Sequence, residues 1–115
     1  MSKHSDIDFI EDILICLEKI KKYISGLSFD EFLKDYKTQD AVIRNIEIIG
    51  EASKKISSDL KDKYPNIPWK MIAGTRDRLI HGYFGVNIDI VWEIVTIDMP
   101  VLEQEVKKIK DEYFG

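Results

Sequence analysis

The fold is decided by a stretch with the period of an α-helix, TQDAVIRNIEIIGEASKKI, which spans residues 38–56. Its apolar and small side chains recur at steps of three and four residues, so they share one wide helical face. The pattern predicts a long amphipathic helix, with Thr38 placed to cap its first turn. The residues of the predicted inner face are Val42, Ile43, Ile46, Ile49, Ala52, Ser53 and Ile56.

Gly50 lies inside this predicted helix. A glycine in a helix costs about 1 kcal/mol relative to alanine. We therefore expect it to let another helix approach closely, either from the same chain or from a second subunit. The alternative is a surface glycine that the helix simply tolerates.

Upstream of this helix, residues 6–27 show the same period and predict a second long helix, loosened at its end by Gly26. Its predicted stripe consists of Ile7, Ile10, Leu14, Leu17, Ile20, Ile24 and Leu27. Ser28 and Glu31 form a capping-box pattern. We expect a short helix to follow, with Phe29, Phe32 and Leu33, ending near Asp35.

Downstream, residues 58–64 predict a short helical turn, and Pro68 can stand in the first turn of a helix over residues 69–81. Gly82 is placed to end that helix. A last helix should begin at Asn87 or Asp89 and run to about Tyr113, with Pro100 kinking or dividing it. The predicted core residues of these two helices are Trp69, Ile72, Ala73, Leu79 and Ile80, then Val91, Ile94, Val95, Leu102, Val106 and Ile109.

No alternating run of strand length occurs, so the chain predicts an all-α antiparallel bundle of about five helices in one domain, residues 1–115. The 115 residues are 44% hydrophobic and 33% charged, which is typical of a soluble globular protein. No apolar run approaches the length of a membrane span and no leader is present, so we expect a cytoplasmic protein without membrane contact.

Cys16 is the only cysteine, which excludes an internal disulfide and a multi-cysteine metal site. Its apolar neighbours at helical spacing predict a buried thiol.

The net charge of −4 is unevenly distributed. Residues 44–81 contain eight Lys or Arg against five Asp or Glu, which is a local excess of positive charge. The middle of the chain could therefore meet an anion, although the net charge speaks against a strongly basic nucleic-acid binder.

The most unusual chemistry lies in the segment RDRLIHGY, residues 76–83. Cleavage of RNA through its own 2′-hydroxyl needs a proton acceptor, a proton donor and positive charge near phosphorus. His81 could move the protons and Arg76 could supply the charge, without a metal. In a regular helix Asp77 and His81 share a face, so the carboxylate could orient the imidazole.

Spacing alone is not specific. An arginine beside an aspartate is usually a solvated ion pair, and a histidine near a helix end is usually a cap or a surface residue. In a regular helix Arg76 and His81 lie about 140° and 7.5 Å apart, so only the tips of their side chains could converge. The motif offers one imidazole per chain, which a symmetric dimer would double.

Several segments together resemble the HepT-like branch of the HEPN superfamily. They keep their order and spacing over nearly the whole chain, and they are RNIEIIGEA (44–52), PNIPW (65–69), IAGTRDRLIHGY (72–83) and DIVW (89–92). The resemblance implies a helical, homodimeric, metal-independent ribonuclease that needs no cofactor and acts as the toxin of a type VII toxin–antitoxin pair. Its implied partner is a minimal nucleotidyltransferase antitoxin of the MntA type.

The resemblance also implies roles for single residues. Arg76 and His81 match the catalytic pair, Asp77 matches the polar residue that supports it, and Tyr83 matches the tyrosine that the antitoxin modifies with AMP. Arg44, Glu51, Trp69 and Trp92 belong to the resemblance too, and we assign them structural roles first, with Glu51 expected to pair with Arg76 or Arg78. The basic residues expected to contact RNA phosphates are Arg78, Lys54, Lys55, Lys70, Lys61 and Lys63.

A second hypothesis remains open at this stage. The same Arg, His and Tyr cluster could belong to a non-catalytic helical partner that docks a nucleotidyltransferase or binds its nucleotide. The sequence does not distinguish tRNA from mRNA as the substrate.

Overall fold

The computed structural model describes residues 5–79 and 85–115, without the side chain of Arg76. Its described part is helical, as predicted, and contains no β-ladder. A π-helical turn, Ile94–Asp98, joins the last two helices and is called the π segment below. The helices are α1 Asp6–Ile24, α2 Phe29–Lys34, α3 Tyr36–Lys55, α4 Ser58–Lys63, α5 Trp69–Ala73, α6 Thr75–Leu79, α7 Ile88–Glu93 and α8 Met99–Tyr113.

The core is built by α1 and α3, which lie side by side along most of their length. They run antiparallel, because Asp6 at the start of α1 accepts hydrogen bonds from the amide (2.8 Å) and hydroxyl (2.5 Å) of Ser57, just after α3. The predicted faces of both helices are confirmed: Ile10, Leu17, Ile20, Val42, Ile46, Ile49, Ala52, Ser53 and Ile56 are buried, while Ile7, Leu14, Ile24, Leu27 and Ile43 are partly buried.

Cys16 lies on the buried side of α1, as predicted. Burial raises the pKa of its thiol, since the surrounding apolar side chains disfavour the thiolate. The group is therefore a small apolar side chain of the core rather than a nucleophile.

The predicted capping box of α2 is confirmed. Ser28 Oγ accepts a hydrogen bond from the amide of Glu31 (3.1 Å), and Glu31 Oε1 accepts one from the amide of Ser28 (2.9 Å). The bond from the Ser28 amide is the main reason why the pKa of the Glu31 carboxyl is lowered. Gln39 closes the other end of α2 by donating to the carbonyls of Phe32 and Leu33.

The prediction that Thr38 caps α3 is wrong. The cap is Asp35, whose carboxylate accepts from the Thr38 amide (3.0 Å) and hydroxyl (2.7 Å), so α3 begins at Tyr36. The Asp35 carboxylate accepts hydrogen bonds from both donors at once, and the positive end of the helix dipole stabilises its negative charge. A lone hydroxyl at the cap would provide neither advantage. The hydroxyl bond is the main cause of the lowered pKa of Asp35.

The predicted continuous helix over residues 69–81 is also wrong, because it is interrupted at Gly74. The Gly74 amide bonds back to Lys70 O (3.0 Å) and ends α5, while the Gly74 carbonyl accepts from Asp77 N (3.0 Å) and starts α6. Trp69, Ile72 and Leu79 are buried as expected, and Ala73 is partly buried. The predictions for Ile80 and Gly82 lie outside the described residues.

Gly50 does permit a close approach. An added Cβ there would lie 3.4 Å from Ile72 O and 3.6 Å from Ala73 O, at the end of α5. The close neighbour therefore belongs to the same chain. A larger side chain at position 50 would push α5 and α6 away from α3.

Asn87 caps α7: its Oδ1 accepts a hydrogen bond from the Ile90 amide (3.3 Å), so the alternative cap Asp89 is not used. The regular α-helix is interrupted just before Pro100, in line with the prediction that this proline kinks or divides it: the π segment, in which Met99 N bonds to Ile94 O, separates α7 from α8. The wider turn accommodates Pro100, which lacks an N–H and crowds the carbonyl four residues earlier. Every predicted inner residue of this helix is buried.

Within the described ranges, no helix is both long and apolar enough to cross a bilayer.

Candidate functional site: the α6 region

Helix α6 carries Arg76, Asp77 and Arg78, and it is only five residues long. A helix of this length is not stable by itself, so its neighbours must hold it. Thr75 is buried at its start, and its hydroxyl donates to Ile72 O (2.7 Å) and Met71 O (3.1 Å). Leu79 is buried at its end.

A hydrogen bond from Asn87 N to Leu79 O (2.9 Å) fixes the two ends of the segment that contains His81 and Tyr83. The same asparagine caps α7 with its side chain. His81 and Tyr83 themselves lie outside the described residues, as does the side chain of Arg76. Asp77 is exposed on α6.

Arg78 points to the π segment. Its Nη1 lies 3.4 Å from Asp98 Oδ2, and both side chains are about one-third exposed. Glu51 has Lys54 Nζ at 3.4 Å from Oε1, one turn along α3, and the predicted alternative of a pair with Arg76 lies outside the described side chains. Glu51 and Arg78 therefore do not form the predicted ion pair, since each has another partner.

An apolar groove of about 320 Å³ lies beside α6, between α5 and the helix that runs through the π segment into α8. Three large apolar side chains on its lining are exposed: Met71 (47%), Ile97 (60%) and Val101 (59%). Arg78 and Asp98 also line it, so the groove borders the helix that carries the motif. A cluster of exposed apolar side chains is characteristic of a surface that another molecule covers.

The other basic residues are spread over several elements. Lys54 is paired with Glu51, Lys55 Nζ lies 6.0 Å from the ring centre of Phe9, and Lys63 Nζ lies 4.6 Å from that of Tyr113. Lys70 is exposed on α5, and Lys61 is half-buried on α4. These lysines form no single basic cleft in the described structure.

Both tryptophans have structural contacts, as we first assigned. Trp69 is buried and its Nε1 donates to Tyr64 O (3.0 Å). Trp92 packs its ring against Phe29 and Phe32, with centroid distances of 5.9 and 5.0 Å. Arg44 is exposed on α3, next to Glu47 and Glu51.

A family model described as ribonuclease HepT-like matches residues 13–109. The chain belongs to the HepT-like family. The match spans α1 to α8 and includes the whole RDRLIHGY segment, so the resemblance seen in the sequence is confirmed.

HepT-like relatives cover almost the full chain. A protein of Thermococcus cleftensis described as a probable ribonuclease HepT is 46% identical over 94% of this chain and 98% of its own length. Two proteins described as putative RNases, from Methanocaldococcus jannaschii and Caldanaerobacter subterraneus subsp. tengcongensis, are 48% and 45% identical to this chain. The matches cover 93% and 88% of this chain and 88% and 90% of their own lengths. No solved structure gives a significant match.

The sequence patterns do not predict two residues that contact α6 or form part of it, Thr75 and Asp98. Thr75 was read only as part of a continuous helix, although threonine can bond the carbonyls three and four residues back. Asp98 was missed because a regular helix was assumed around it. A signal for Asp98 does exist: it falls on the apolar stripe of the last helix, two residues before Pro100.

Proposed function

We propose that this protein is a metal-independent endoribonuclease that acts on cellular RNA in the cytoplasm as the toxin of a type VII toxin–antitoxin pair. The observation that carries the proposal is the HepT-like match over residues 13–109, which includes the Arg-x4-His segment. The short helix α6, which carries the arginine of that segment, is held at both ends by the contacts of Thr75 and Leu79.

In the proposed reaction, His81 accepts the proton of the RNA 2′-hydroxyl as this oxygen attacks the adjacent phosphorus. The bond to the 5′-oxygen breaks, and a second imidazole, in its protonated form, donates a proton to the leaving oxygen. Arg76 stabilises the negative charge that accumulates on the phosphoryl oxygens. Asp77 orients the imidazole, and the products carry a 2′,3′-cyclic phosphate and a 5′-hydroxyl.

The second imidazole comes, in this proposal, from a second copy of the chain. Each motif contains one histidine, and a two-fold dimer would place two motifs at one cleft. The exposed apolar side chains Met71, Ile97 and Val101 support self-association through the groove beside α6. A polar surface there would not need to be covered.

RNA would be held by contacts to its phosphates, for which we propose Lys54, Lys55 and Lys70. All three are exposed, so their ammonium groups can reach a strand. The contacts of Lys54 with Glu51 and of Lys55 with Phe9 are weak surface contacts, which a phosphate can replace. Arg78 differs from them because it already faces Asp98.

Control of the activity would come from an MntA-type nucleotidyltransferase that transfers AMP from ATP to the Tyr83 hydroxyl and releases pyrophosphate. The attached phosphodiester would lie two residues from His81 in sequence. It would occupy the phosphate site and repel RNA while the catalytic residues stay intact.

The test combines intact mass with RNA cleavage. Protein expressed alone and with the nucleotidyltransferase is weighed, and both samples are incubated with total RNA in the presence of EDTA. We expect cleavage only by unmodified protein, and a gain of one or more AMP units on Tyr83 in the co-expressed sample. Tyr83→Phe should stay active and unmodified in both.

The controls use the two histidines of the chain. His81→Ala and Arg76→Ala should abolish cleavage while the helical signal persists, and His4→Ala should leave cleavage unchanged. Folded, dimeric, unmodified protein that leaves tRNA and mRNA intact would refute the nuclease. Tight binding of the nucleotidyltransferase by that inactive protein would instead support a docking subunit, which the exposed apolar groove could serve.

A further inference from the structure

The π segment changes which residues of the last helix face the core. Residues seven apart share a face in a regular helix, so Asp98 would lie in line with Val91 and would precede Leu102 by one turn. Both of those side chains are buried. The extra residue of the π turn places Met99 in the core instead, and Asp98 moves to the side of the helix, about one-third exposed.

The position that Asp98 gains is opposite α6. Its carboxylate lies 3.4 Å from Arg78 Nη1, and no other element provides a charged partner for Arg78 among the described residues. The other acid on the groove, Glu105, faces Lys108 and Asn66 instead. An ion pair whose side chains are about one-third exposed contributes little to global stability, so we look for its effect in the orientation of the two helical segments that it joins.

Helix α6 also contacts α3 and α7, and its polar contacts among the described residues are few. Thr75 holds its first residue and Leu79 its last, and both are contacts at the ends. Because Thr75 and Leu79 are four residues apart, their burial turns one face of α6 to the core, and the pair with Asp98 adds a restraint at the side of the helix between them. Such π turns occur frequently at functional sites.

We propose that Asp98 is a positioning residue of the nuclease: by pairing with Arg78 it holds α6 in the rotation from which Arg76 and the chain leading to His81 reach the phosphate. The π segment is the device that brings Asp98 there. This inference rests on the proposed ribonuclease function. In this proposal the Arg78 side chain pairs with Asp98 to hold α6 and does not contact RNA.

The test measures kcat and KM for cleavage of a defined RNA by the dimeric protein. Arg78→Gln and Asp98→Asn should each lower kcat about tenfold with KM within about twofold, and the double variant should be no worse than either single one. Arg78→Lys with Asp98 intact and the exchanged pair R78D/D98R should recover most of kcat. Lys21→Gln removes another ion pair of the same 3.4 Å length, between α1 and α8, and should leave both constants unchanged.

A direct contact of Arg78 with RNA predicts the opposite pattern. Arg78→Gln would then raise KM, and Asp98→Asn would lower it or leave it unchanged because the arginine is released. Additive losses in the double variant would also overturn the proposal.

Amide hydrogen exchange of Asp77, Arg78 and Leu79 tests the inference without any activity. Exchange should be several-fold faster in both single variants than in the wild type and in R78D/D98R. Unchanged exchange would refute the positioning role. If the wild-type protein cleaves no RNA, the proposed function fails, and the exchange rates still decide whether Asp98 holds α6.

Discussion

The pair α1 and α3 and the pair α5 and α6 are held by different kinds of interaction. The first two helices contain 19 and 20 residues and meet through continuous buried stripes. The second two contain five residues each, and α6 depends on the Thr75 hydroxyl, the Arg78–Asp98 pair and the Asn87 bond to Leu79. Burial is spread over many side chains in the first pair, whereas the second pair buries only Trp69, Ile72, Thr75 and Leu79 among its described side chains and depends in addition on single polar contacts.

This difference assigns the two regions different roles. A long buried interface is insensitive to the loss of one polar contact and gives a rigid base. A short helix fixed by a few hydrogen bonds opens at low cost, as is common near functional sites. We therefore expect changes in the first region to act on stability, and changes in the second to act on local order and RNA cleavage.

The largest effect is expected in the buried core around α1. Ile13 is 1% exposed and Ile15, two residues along the same helix, is 54% exposed. Ile13→Ala should lower the free energy of unfolding by about 2–5 kcal/mol through lost burial and a cavity, and Ile15→Ala by less than about 0.5 kcal/mol. Urea unfolding followed by circular dichroism measures both. Similar losses for the two variants would contradict the assigned core.

A smaller effect is expected where the two regions touch. Gly50→Leu should cost about 1–3 kcal/mol, because its side chain must displace the carbonyls at the end of α5. Gly50→Ala is the matched control, since its Cβ only reaches contact distance and alanine favours a helix by about 1 kcal/mol. Thermal unfolding should separate the two, and an unstable Gly50→Ala protein would show that the approach is tighter than described.

Substitutions of Thr75 test how the short helices α5 and α6 are held. Thr75→Val keeps the shape and removes the hydroxyl bonds to Ile72 O and Met71 O, for an expected loss of about 1 kcal/mol. The amides of α6 should exchange faster, while those of α1 and α3 keep their rates. Thr75→Ser keeps the hydroxyl and should restore slow exchange in α6. Equal changes in all helices would remove the distinction between the two regions.

The smallest effect is the pH dependence of the helix caps. The pKa values of Asp35 and Glu31 are lowered in the folded protein, mainly by the Thr38 hydroxyl and the Ser28 amide. A lowered pKa adds stability above the unfolded-state value, near pH 4 for these groups, and that stability is lost as the pH falls through the folded-state pKa. Asp35→Asn keeps a capping side chain without the titration.

Unfolding between pH 7 and pH 3 measures this contribution. The loss of stability on acidification should be smaller for Asp35→Asn than for the wild type. Ser25→Ala, at an exposed position without a side-chain hydrogen bond of this kind, should follow the wild-type curve. An Asp35→Asn curve as steep as the wild type would show that the Asp35 carboxylate is not responsible.

The apolar period determined the all-α fold, the faces of the long helices and the buried place of Cys16, because these depend on many residues that all agree. The motif segment determined the family, because its residues stand in order along the chain. The interruption at Gly74, the cap at Asp35 and the π segment were decided only in the folded molecule. Each of these features depends on one or two polar groups. Their partners lie either in distant elements or in a neighbouring turn, and the spacing of apolar residues specifies neither. The contact between Asp98 and Arg78 is an example. The apolar spacing of a regular helix would place Asp98 in the core, and only the π turn before Pro100 directs it toward α6.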